Sequence, residues 1–134
     1  MDFHHVAISV RDLSKSKDFY QDLGFKEVHR WEAEDNKLTI AQLKLGNVIL
    51  ELSEFKENMI KDQIIIDDIS KRELGLMHFG LRVSNVRDVY KKMLKEGFVM
   101  RDPGVKKGRT GIDYFFIIDP DGMWVEIVQD DRNY

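Results

Sequence analysis

Apolar and polar positions change period several times along the chain, and each change marks a short element. From Phe3 to Val10 the two kinds alternate and β-branched residues are frequent, which predicts a half-buried strand. Asp12 or Ser14 then caps a helix whose inward positions Ser16, Phe19, Tyr20 and Leu23 fall at helical spacing, with Gly24 as its stop. Strands are expected at about 26–32, 38–45 and 47–53. The order starts again with a strand at 77–83 and a helix capped by Asn85. That helix carries Val86, Val89, Tyr90, Met93 and Leu94 on one face and stops at Gly97. Strands near 98–101, 112–118 and 123–129 complete it. The last two are joined by Asp119-Pro120-Asp121-Gly122, in which proline presets φ and glycine supplies a positive φ.

The order is therefore βαβββ, twice, and residue matches support the repeat. His5-Val-Ala-Ile-Ser-Val resembles His78-Phe-Gly-Leu-Arg-Val, and 19 residues separate His5 from Gly24 and His78 from Gly97 alike. Gly46-Asn-Val-Ile-Leu-Glu51 resembles Asp121-Gly-Met-Trp-Val-Glu126, and the two His-to-Glu separations are 46 and 48. The 134 residues suit one domain, with module one at about 1–53, a connection at 54–76 and module two at about 77–130. That connection exceeds the usual ~4–6 residues. It is charged but holds Ile60, Ile64, Ile65, Ile66 and Ile69, which favours a short helix or strand covering apolar surface over a lid or a dimer contact.

Composition narrows the chemistry. Hydrophobic residues at 43% can supply a core, and no apolar run approaches the ~20 residues of a membrane-spanning helix. The N-terminus has neither the basic nor the apolar region of a signal peptide, so a cytoplasmic protein is expected. A net charge of −3 argues against a nucleic-acid partner. Without cysteine there is no disulfide or thiolate chemistry, and any metal must be held by histidine and carboxylate.

Four such residues stand at equivalent places: His5 and His78 open the two modules, and Glu51 and Glu126 close them. Taken singly, each would read as an ordinary strand residue. Their equivalence points to one divalent cation, since two imidazoles and two carboxylates suit Zn²⁺, Ni²⁺, Co²⁺ or Mn²⁺ and the carboxylates neutralise the dication. His4 alternates to the opposite face and His29 has no histidine counterpart, so both read as structural or solvent-exposed.

These motifs, with Asp12-Leu13, Phe19-Tyr20…Leu23-Gly24-Phe25 and Asp119-Pro-Asp-Gly…Val125-Glu126-Ile127, resemble the vicinal oxygen chelate superfamily. The resemblance covers almost the whole chain outside 54–76. It implies an α+β fold of paired βαβββ modules forming an open eight-stranded barrel-like sheet around a metal site, and a homodimer. A His-Glu-His-Glu quartet is similar to that of short bacterial glyoxalase I, or lactoylglutathione lyase, and carries over His5, Glu51, His78 and Glu126 as ligands. The implied activity is that of a lyase or isomerase on a small α-oxo substrate. Protons move through a metal-bound enediolate, Glu126 and Glu51 are the catalytic carboxylates, and Zn²⁺ or Ni²⁺ is expected before Co²⁺ or Mn²⁺. Alternatives are a metal-dependent epimerase, a fosfomycin-type transferase, or a non-catalytic sequestering protein like the bleomycin-resistance members.

Two positions depart from the bacterial glyoxalase pattern. Ser9 stands where that family has an arginine for the glutathione carboxylate, and Glu54-Phe55 occupy the stretch of a tripeptide-binding asparagine. Lys106-Lys107-Gly108-Arg109 offers another anion-binding element, although a solvated basic loop is the preferred reading. Phe115, Phe116 and Trp124 read as core before they read as pocket lining.

Overall fold

The computed structural model describes residues 2–57 and 75–132. Most of the 54–76 connection, with the helix or strand expected there, lies outside them. The chain divides into two compact units, Met1–Ile64 and Ile65–Tyr134.

Unit one runs β1 (His5–Val10), α1 (Leu13–Asp22), β2 (Lys26–Glu32), β3 (Leu38–Leu45) and β4 (Val48–Phe55). Its sheet has the order β1-β4-β3-β2, with β1 parallel to β4 and the other pairs antiparallel. Alternation sends Ile8, Leu50, Leu52, Ala41 and Leu43 to one face, where they are buried with Leu13 and Tyr20 of α1. Burying each of the leucine and isoleucine side chains contributes about 1.5–3 kcal/mol. Of the two candidate caps it is Asp12 that closes α1, accepting the Lys15 N–H at 3.0 Å. β4 runs to Phe55, beyond the expected 53, and this brings Glu54 close enough to accept the Leu13 N–H at 3.0 Å.

Unit two repeats the plan with β5 (His78–Arg82), α2 (Val86–Glu96), β6 (Lys106–Lys107), β7 (Asp113–Ile118) and β8 (Trp124–Gln129), in the order β5-β8-β7-β6. Phe115, Ile117, Val125 and Ile127 are buried with Val86, and Tyr90 meets the Phe115 ring edge-on at 5.2 Å. Asn85 caps α2 by accepting the Asp88 N–H, and Gly97 closes it at φ 87°. Leu94, expected on the inward face, is 55% exposed. Eight residues beyond Val86, it has drifted about 80° round the helix, off the stripe.

The expected strand at 98–101 is only a fragment. Val99 and Arg101 bond to β7 on either side of a single Met100–Ile117 bridge. The pairing resumes at Lys106–Lys107, opposite Tyr114 and Asp113. Pro103 lacks an N–H and Gly104 sits at φ 78°, so the chain bulges away and re-enters out of register. The expected α+β fold of two βαβββ modules is thus observed as two four-stranded mixed sheets, each with one helix and open edges.

Candidate active site

In each unit the first and last strands are parallel neighbours, and this sets the geometry of the candidate residues. In unit one His5 pairs with Ile49 and Ala7 with Glu51, so Glu51 lies two residues further along than His5 on the adjoining strand. Both lie on the sheet face opposite α1, by alternation from Leu50 and Leu52. In unit two His78 pairs with Trp124 and Gly80 with Glu126, which is the same offset. The equivalence seen as spacing in sequence is therefore also equivalence of register.

The neighbours of the two pairs differ. His5 is exposed and meets His4, Nδ1 to Nδ1, at 3.0 Å. Glu51 leans toward β3, where the Gln42 Nε2 amide donates to its Oε2 at 2.8 Å. In unit two Glu126 Oε2 instead lies 3.5 Å from His78 Nε2. Phe116 holds the place of Gln42 beside Glu126 and packs edge-on to His78 with ring centroids 5.0 Å apart. A Cβ at Gly80 would stand 3.4 Å from Glu126 Oε2, so the carboxylate lies against the backbone of β5.

The donor set suits a divalent cation. His78 Nδ1 is buried with no hydrogen-bond partner among the described residues, an arrangement that costs about 1–3 kcal/mol when nothing compensates it. The imidazole and carboxylate of unit two already stand side by side. Among the described residues no three His, Asp or Glu side chains gather as a metal-holding group.

Other expected residues separate. Phe115 and Phe116 are both buried, as expected; Phe116 and the half-buried Trp124 alternate to the His78 face, where the Arg101 guanidinium lies 3.8 Å over the Trp124 ring. His29 is exposed, yet it faces Gln42 across β2 and β3 on the Glu51 side, a placement that sequence spacing did not show because a bulge at Val28 shifts the register. In the basic element Lys106 pairs with Asp102 at 3.1 Å and Lys107 with Asp113 at 3.3 Å. The Gly108 and Gly111 N–H groups are spent on the turn itself. Glu54 is engaged at the start of α1, and Gln129 does the same for α2 by accepting the Val86 N–H at 3.1 Å. Sequence reading missed Gln42 and Gln129, since each matters only through its cross-strand or helix-end neighbour.

The fold has known counterparts. Residues 2–127 match the family model described as the Glyoxalase/Bleomycin resistance protein/Dioxygenase superfamily. A probable lactoylglutathione lyase of Synechocystis sp. is 32% identical, covering 93% of this chain and 92% of its own length. A lactoylglutathione lyase of Neisseria meningitidis is 30% identical, with 93% and 88% covered. Among solved structures, a glyoxalase family protein from Enterococcus faecalis superposes with a TM-score of 0.78 at 25% identity, covering 95% and 96% of the two chains. The trypanothione-dependent glyoxalase I of Leishmania major does so at 0.70 and 25% identity, covering 93% and 84%. The chain belongs to the glyoxalase/bleomycin resistance/dioxygenase superfamily, the vicinal oxygen chelates, and is glyoxalase I-like within it.

Proposed function

We propose that this protein is a metal-dependent lyase or isomerase of lactoylglutathione lyase type, moving a proton between adjacent carbons of a small α-oxo substrate. The observation that carries this reading is the matched register of His5 with Glu51 and of His78 with Glu126. In a single site they would hold one divalent ion, Zn²⁺ or Ni²⁺, with Co²⁺ or Mn²⁺ as substitutes. Such an ion supplies a positive charge next to the substrate oxygens, where negative charge builds as the carbon-bound proton leaves. The proton itself is carried by a glutamate of this chain, Glu126 or Glu51 according to the face of the substrate presented. Trp124, half-buried on the Glu126 face, offers apolar surface to the carbon skeleton. The active form is proposed to be a cytoplasmic homodimer in which the whole chain acts as one domain.

Glutathione is the thiol to test first, because the curated relatives bear the name lactoylglutathione lyase. Ser9 offers no cation for its carboxylate, and Glu54 is occupied at the start of α1. Metal content and turnover of methylglyoxal with glutathione, under Ni²⁺ and Zn²⁺ in turn, test the reading. One metal per site with turnover is expected, and Glu126→Gln should lower kcat by roughly 10²–10⁴-fold. Stoichiometric metal without turnover removes the glyoxalase substrate and keeps the site, and absence of metal removes the site.

A further inference from the structure

The repeat makes Glu51 and Glu126 equivalent, but their cross-strand partners are not. Across β3, the direct partner of Glu51 is Gln42; across β7, that of Glu126 is Phe116. A carboxylate at neutral pH can only accept, so the 2.8 Å contact must be Gln42 donating to Glu51 Oε2. On the opposite side of Glu51 the β1 neighbour is Ala7, whereas Glu126 has Gly80 there. Glu51 is drawn toward β3 by Gln42, whereas Glu126 lies over β5, where it reaches His78.

We infer that Gln42 is a positioning residue: its side-chain amide holds the Glu51 carboxylate in the orientation in which it binds the divalent cation. This rests on reading Glu51 as a ligand. A free glutamate has three rotatable bonds to fix when it captures an ion, and a neighbour that fixes them beforehand lowers that cost. One hydrogen bond leaves the carboxylate with further acceptor positions for a cation. Residues that hold a ligand in this way typically account for 10–100-fold in metal affinity. Phe116 has no polar atom and cannot do the same for Glu126, so the two glutamates differ in restraint although they match in sequence position.

A double-mutant cycle on the full chain tests this, with Zn²⁺ affinity read by competition against a chromophoric chelator. Gln42→Met keeps the size and removes the donor, and it should weaken Zn²⁺ by about 10–100-fold. In a Glu51→Ala background the same change should have no effect, because the group it acts through is gone. Metal-free thermal unfolding checks that the fold persists, and Gln42→Leu repeats the comparison if Met disturbs it. Unaltered Zn²⁺ affinity in Gln42→Met overturns the inference alone, as does equal weakening in both backgrounds. A wild-type chain that binds neither Zn²⁺ nor Ni²⁺ overturns the metal reading and the inference with it.

Discussion

Position 80 shows how much a single side chain decides in this fold. Glu126 lies over β5 here and comes within 3.5 Å of His78, and the matching residue in unit one is Ala7. Alanine at 80 would only touch the carboxylate at 3.4 Å and should be nearly neutral. Valine adds two methyl groups in the space the carboxylate occupies. Gly80→Val should therefore displace Glu126 and weaken Zn²⁺ binding by on the order of tenfold or more, readable by the same chelator competition. The His and Glu residues themselves were legible in the sequence because they recur in matched positions. Gly80 was not, because its effect depends on which side chain lies across from it.

Among the elements, the strand-to-helix connections repeat a device that residue matching did not reveal. The last strand of each unit ends by sending a side chain back to the first N–H of its helix, Glu54 to Leu13 and Gln129 to Val86. Helix N-termini leave four N–H groups without partners, so each such bond removes one. Glu54→Ala should cost about 1–3 kcal/mol in urea unfolding. Glu54→Gln should recover most of that loss, as glutamine already serves at 129. The strands and helices came correctly from periodicity and turn residues, down to Lys26–Glu32 and Leu38–Leu45. The strand near 98–101 did not, because Pro103 and Gly104 interrupt a ladder whose continuation at Lys106 shows no apolar alternation.

For the molecule as a whole, one contribution to acid sensitivity comes from Glu27, which is paired with Arg30 on its own strand and with Lys17 on α1. Glu27 of β2 is held below its ordinary value of 4.5, chiefly by the hydrogen bond from Arg30 and further by the charges of Arg30 and of Lys17 on α1. A carboxyl lowered on folding contributes stability that is present above its unfolded value and is lost as pH falls through the folded one. The unfolding midpoint should therefore decline as pH drops below about 4.5. Glu27→Gln should flatten that decline while lowering stability at neutral pH; an unchanged acid limb would show that other groups govern it.

The sequence by itself determined the two βαβββ modules and the equivalence of His5 with His78 and of Glu51 with Glu126. Those depend on period, turn residues and repeat spacing, which are local or self-referential. Only tertiary structure decided that the first and last strands of each unit are parallel neighbours, which puts each histidine and glutamate two residues apart on one face. It also decided that Gln42 hydrogen-bonds to Glu51 while Glu126 lies over Gly80 beside His78. Cross-strand register makes neighbours of residues far apart in the chain, and no spacing along the chain encodes that register directly.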